Sequence, residues 1–171
     1  MKKILLSIGA VVSLTALAWA ASEPAKKTTS ATYMITGLHC PACTKTVEGS
    51  LSKVPGVRSI KVDWNTKDAK VEFDESVLPA QRVAQLIADT PHMMGPNLRY
   101  DGWLALKAPD IKDDATAGKA KEALQKVPGV KAVAAFPDKH VVEVQFTAEG
   151  HATSQQLIDA LAAAGIQAEN F

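Results

Sequence analysis

From residue 32 onward the spacing of apolar residues switches repeatedly between two and about 3.6, the periods of strand and helix. Thr32–Thr36 alternates as a half-buried strand. Pro41–Val54 follows with Val47 and Leu51 at helical spacing, and Pro55-Gly56 stops it. Val57–Trp64 and Ala69–Phe73 read as strands joined by the turn Asn65-Thr66-Lys67-Asp68, hence a hairpin. Pro79–Asp89 is a second helix with Val83, Leu86 and Ile87 inward, and a short strand is expected near Asn97–Tyr100. Asp101-Gly102 then reads as a tight turn. The pattern starts again with Trp103–Lys107, Ala115–Val127, Val130–Phe136, Val141–Phe146, Ser154–Ala164 and a short end near Gln167–Asn170.

The restart is visible in the residues themselves. Lys53-Val54-Pro55-Gly56-Val57 recurs as Lys126-Val127-Pro128-Gly129-Val130, 73 positions on. At that offset Leu51 matches Leu124, and Val71-Glu72-Phe73 matches Val144-Gln145-Phe146. A one-residue slip near Gly150 then matches Val83 to Leu157 and Ile87 to Leu161. The expected fold is α+β: two tandem ferredoxin-like βαββαβ sandwiches, at 32–100 and 103–171, each with two helices on a four-stranded antiparallel sheet.

What precedes the first unit changes the setting. Lys2-Lys3, the apolar run Ile4–Leu17 and Ala18-Trp19-Ala20 have the three regions of a cleaved signal peptide over residues 1–20. The run is too short and wrongly flanked for a membrane span. Residues 21–31 are small and polar, as in a flexible linker. The expected mature protein is an exported, periplasmic monomer that is not embedded in a membrane. Without Lys2 and Lys3 it carries 17 basic against 18 acidic residues, a balance with no electrostatic footprint for nucleic acid.

The chain has two cysteines, Cys40 and Cys43, in Gly37-Leu38-His39-Cys40-Pro41-Ala42-Cys43 at the mouth of the first helix. A structural disulfide across so small a loop would constrain the unfolded chain little. A thiol–disulfide oxidoreductase has this spacing, and a helix N-terminus lowers a thiol pKa. Against that, His39 precedes the pair, and a unit of about 70 residues is smaller than a thioredoxin-like core. Soft-metal capture is the third reading. Two thiolates on one loop can hold an ion between them, and the helix dipole favours their charge.

These residues, with Pro55-Gly56-Val57 a dozen positions on, resemble the heavy-metal-associated domain family, whose usual motif is G-M-x-C-x-x-C. The resemblance covers residues 32 to about 95. It implies binding and transfer of Cu(I), Hg(II) or Zn(II) without catalysis, with Cys40 and Cys43 as the ligands. Leu38 stands where Met is usual and should pack beneath the loop in its place. The family also implies a membrane metal transporter or periplasmic acceptor as partner.

The second unit keeps the pattern and loses the ligands: Cys40 becomes Asp113 and Cys43 becomes Thr116, with Asp113 or Asp114 expected to cap the helix. The topology brings His92, Met93 and Met94 near the thiols, because the last strand of a βαββαβ unit begins beside the end of the first. They are expected to modulate the site rather than ligate, as is His39 next to Cys40; packing or plain exposure is the simpler role for each. His140 and His151 read as surface residues, and Trp64, Tyr100 and Trp103 as packing. The functional expectation is an exported, non-enzymatic metallochaperone or scavenger for a soft ion, Cu(I) foremost. Its alternatives are the oxidoreductase and a regulatory or structural partner of a metal-efflux system.

Overall fold

The computed structural model describes residues 28–171; the expected signal peptide and the start of the expected linker lie outside them. The elements are β1 (Thr28–Thr36), α1 (Pro41–Leu51), β2 (Val57–Asp63), β3 (Asp68–Asp74), α2 (Ala80–Ala88) and β4 (Asp101–Lys107). Then come α3 (Asp114–Gln125), β5 (Val130–Phe136), a 3-10 turn at Pro137–Lys139, β6 (Val141–Phe146), α4 (Ser154–Ala163) and β7 (Glu169–Asn170). The strands form a single antiparallel sheet in the order β2-β3-β1-β4-β6-β5, with β7 also against β4. The first half, β2-β3-β1-β4, has the ferredoxin-like order. Among the described residues no helix is long and apolar enough to cross a membrane.

The two halves share a strand. One edge of β4 pairs Asp101–Ala105 with Thr36–Thr32 of β1, and the other pairs Leu104–Lys107 with Val144–Val141 of β6. β4 therefore closes the first half and opens the second. The expected strand at Asn97–Tyr100 is absent: Thr36 is opposite Asp101, so residues before Asp101 run past the end of β1 and find no ladder. Asp101-Gly102 is strand, not turn, for a packing reason. A Cβ on Gly102 would come within 2.9 Å of the Ile87 side chain, which rests on that strand. β7 has only two residues because β1 already occupies most of the edge it would use. The linker expectation also gives way at its end, where Thr28–Ala31 pair with Asp74–Val71 of β3.

Inward residues of every long strand, among them Tyr33, Val71, Phe73, Leu104 and Val144, join Val47, Leu51, Val83, Ile87, Leu124 and Leu161 in one core. All four helices thus cover the same face of the sheet, as right-handed crossovers on either side of an antiparallel central pair require. The 73-residue period recurs in the backbone. Gly56 and Gly129 both adopt positive φ after their prolines. Their carbonyls accept from Asp74 and Thr147, at 2.8 and 2.9 Å. Each following strand carries a bulge, at Val57/Ser59 and Val130/Ala132.

A buried amide fastens the halves together. Gln81 on α2 is sealed from solvent, and its Nε2 donates to the carbonyls of Thr147 and Glu149 at 3.1 and 2.8 Å. Its Oε1 accepts from Ala152 N at 3.0 Å, and Gln81 N donates to Ala152 O. Glu75 reaches across to accept from the backbone N–H and hydroxyl of Ser154 at the start of α4. A fully satisfied buried polar group of this kind fixes one arrangement of its neighbours.

Candidate metal-binding site

The site forms where β1 hands over to α1. Gly37 turns the chain with φ +84, and a Cβ there would lie 2.1 Å from the Arg99 carbonyl oxygen, so only glycine allows the two backbones to cross. Leu38 is buried in the core, as the motif leads one to expect. Cys40 is the N-cap of α1 in extended conformation, Pro41 takes the first helical position, and Cys43 lies in the first turn. No side chain caps this helix and its first turn holds no acidic residue. Its leading N–H groups, with the positive end of the helix dipole, are thus directed at the sulfurs.

The two sulfurs are 2.9 Å apart and carry no disulfide. They differ in environment: Cys43 is buried and Cys40 partly exposed. Burial pushes the Cys43 thiol up. Hydrogen bonding from Cys40 and from the backbone of His39 and Cys40, together with the nearby Tyr100 hydroxyl, outweighs it and holds Cys43 below the ordinary thiol value. The Cys40 thiol is raised, first because it donates to Cys43 and then by desolvation. The pair thus favours one negative charge, centred on Cys43 and steadied by the Cys40 proton.

The segment between α2 and β4 folds over this pair. His92 is 9% exposed and uses both ring nitrogens: Nε2 lies 3.0 Å from the Gly37 carbonyl and Nδ1 accepts from Met94 N at 3.1 Å. That pattern sets the Nε2–H tautomer, donating to Gly37, and leaves no lone pair for a metal. The ring stacks on Tyr100 at 4.5 Å and meets the exposed His39 edge-on at 5.4 Å. Met93 Sδ is 3.6 Å from Cys40 Sγ and 3.8 Å from the Thr46 hydroxyl. Met94 is 57% exposed, and what it contributes is its backbone N–H to His92.

Tyr100 is the site residue that sequence reasoning assigned to packing. The residue is 1% exposed, and its buried hydroxyl, without a full hydrogen bond, lies close enough to interact with the Cys43 sulfur. Burial, then Cys43, push its pKa up to about 12, so it stays a neutral donor. Nothing in the spacing marks it; only the path of residues 89–100 brings it beneath the thiols. His140 and His151 are exposed and far along the chain, and His140 Nδ1 is 2.9 Å from the Ile111 carbonyl. Among the described residues no group of three His, Cys, Asp or Glu side chains is placed to hold a metal ion.

In the second half Asp113 is the N-cap of α3. Its carboxylate accepts from Thr116 N at 2.7 Å, and this bond first of all holds its pKa below the ordinary value. The positions of the two thiols are there a capping box.

The heavy-metal-associated domain matches residues 32–92, the segment that carries both cysteines and reaches His92. The mercuric transport protein periplasmic component of Serratia marcescens is 34% identical over 89 residues, 52% of this chain and 90% of that protein. A copper-transporting ATPase of Oryza sativa subsp. japonica is 26% identical over 117 residues, 66% of this chain and 11% of the ATPase. Among solved structures, oxidized MerP from Ralstonia metallidurans CH34 is 29% identical with a TM-score of 0.37, covering 44% of this chain and 97% of that one. With a transport protein matched over nine-tenths of its length and the domain seated on the thiol loop, the chain belongs to the heavy-metal-associated domain family.

Proposed function

We propose that the protein is an exported carrier of a soft metal ion, which Cys40 and Cys43 take up as Cu(I) or Hg(II) and pass to a membrane transporter or a periplasmic acceptor. The observation that carries this reading is the pair of sulfurs 2.9 Å apart at an uncapped helix N-terminus, one of them partly open to solvent. Thiolates select soft ions, and the helix end favours their charge before the ion arrives. Two ligands on a surface loop leave room for a partner thiolate to join and then replace one of them. Kinship with a periplasmic mercuric transport component and with copper ATPases points to the same chemistry. The residues 1–20 pattern supports export. On this reading the second half is a duplicate that has exchanged its ligands for a helix cap and serves as scaffold or docking surface.

Titration with Cu(I) and with Hg(II) under reducing conditions, wild type against the Cys40→Ala/Cys43→Ala double variant, tests it. One tight equivalent that the double variant lacks is the expected result; equal uptake by both would remove the reading. The same sulfurs are close enough to serve a thiol–disulfide oxidoreductase instead. Insulin-reduction activity that depends on Cys40 and Cys43 would favour that alternative.

A further inference from the structure

We propose that Met93 supplies a third, exchangeable sulfur ligand that strengthens Cu(I) binding and leaves Hg(II) binding unchanged, and that His92 positions it. The inference rests on the thiol pair being the metal site and deepens that reading.

Three soft donors lie together, Met93 exposed, Cys40 partly open to solvent and Cys43 buried beside them. Cys40 Sγ is 2.9 Å from Cys43 Sγ on one side and 3.6 Å from Met93 Sδ on the other. Metal–sulfur bonds of about 2.3 Å in a trigonal plane hold three sulfurs about 4 Å apart. The Cys40–Met93 separation is already close to that, and the thiol pair must open by about 1 Å. Cys40 is at the N-cap, outside the helix, where its side chain has freedom to swing.

Met93 does not arrive there by chance packing. It is 52% exposed, so its position is not set by filling a core. Its backbone is fixed by its neighbour: His92 is pinned at both nitrogens, to Gly37 before the thiol loop and to Met94 after Met93, and its ring is stacked on Tyr100. The residue between two such anchors has little choice of direction. Met93 is a flexible, polarizable donor held near the metal by its backbone but open to solvent, so it can leave when a partner approaches.

The chemistry discriminates between ions. Cu(I) accepts a thioether beside thiolates. Hg(II) is satisfied by two thiolates in a line and gains little from a neutral third donor. Uptake releases to solvent the protons still held by Cys40 and Cys43. Copper remains Cu(I), and Met93 donates a lone pair without change of charge.

X-ray absorption at the copper edge, with Cu(I) affinity measured by competition with a chromogenic chelator, tests the proposal on wild type, Met93→Leu, His92→Ala and Cys40→Ala/Cys43→Ala. Three sulfurs in wild type and two in Met93→Leu are expected, with about tenfold weaker Cu(I) binding and unchanged Hg(II) binding. His92→Ala should also show two sulfurs while keeping one copper, a signature that a purely structural loss would not produce. Identical two-sulfur spectra in wild type and Met93→Leu overturn the role of Met93 and leave the thiol site standing. Uptake by the double cysteine variant equal to wild type overturns both.

Discussion

Cys40 and Asp113, 73 residues apart, occupy the same place in the fold: each is the extended N-cap residue of the helix after the leading strand of its half. Asp113 and Thr116 cap each other's backbone, with Thr116 N to Asp113 Oδ1 at 2.7 Å and Asp113 N to Thr116 Oγ1 at 3.2 Å. At α1 no side chain makes a capping hydrogen bond, and the positive end of the helix is left to face the sulfurs. One location serves helix stability in the second half and, on the reading proposed above, metal capture in the first.

Giving α1 the cap that α3 has should therefore stabilise the metal-free protein. Cys40→Asp is expected to raise unfolding stability by about 1 kcal/mol, read as a higher urea midpoint at unchanged slope, while Cu(I) uptake is lost. A lower midpoint would mean that the thiol already fulfils the capping role.

The buried amide that joins the halves should be costly to remove. Gln81→Leu leaves the Ala152 N–H without its partner and removes one donor each from the Thr147 and Glu149 carbonyls, which keep Gln85 Nε2 and the Thr147 hydroxyl. At roughly 1–3 kcal/mol per unsatisfied buried group, a loss of about 2 kcal/mol is expected in equilibrium unfolding. A variant within 0.5 kcal/mol of wild type, a bound set by the usual scatter of surface substitutions at about that size, would show that the loop 147–152 is not held through Gln81.

Gly37 is expected to control the site without touching a metal. Gly37→Ala combines a positive φ with a Cβ 2.1 Å from the Arg99 oxygen. It should cost about 2 kcal/mol, displace residues 92–100 and weaken Cu(I) binding. Chelator competition and urea unfolding measure the two effects. If both stay at wild-type values, the crossing of the two backbones is not what shapes the site.

Glu48 contributes an acid-sensitive contact. Burial raises its carboxyl, but Lys45 Nζ at 2.7 Å and Val62 N at 2.9 Å outweigh that and hold it below the ordinary 4.5. A folded value below the unfolded one contributes stability at neutral pH that is lost as the pH falls below about 4.5. Glu48→Gln should lower stability at pH 7 by at most about 1 kcal/mol and converge with wild type at pH 3. Parallel pH profiles would contradict the assignment.

Residues 141–146 were legible as a strand to the residue, because Val142, Val144 and Phe146 alternate with Glu143 and Gln145 and leave one register in which the apolar set faces a core; residues 130–136 are an apolar run bounded by Gly129 and Pro137. The motif was legible for a similar reason: Gly37, Leu38, Cys40 and Cys43 act through local backbone geometry. Asp101-Gly102 was misread because a turn signal is local, whereas Gly102 is glycine to admit Ile87 from a helix fifteen residues earlier. Tyr100 carries no local mark, because nothing in its neighbourhood in sequence separates an aromatic that fills a core from one whose hydroxyl lies near a thiol.

By itself the sequence determined most of the element types, the 73-residue period and the two-thiol loop, since each follows from periodicity or from conformational preference over a few residues. Tertiary structure alone decided that one strand serves both halves, that Gln81 bolts them together, and that Met93, His92 and Tyr100 surround the thiols. Those outcomes depend on which free sheet edge and which buried polar group find a partner, and such partners lie dozens of residues away, beyond the reach of any local pattern.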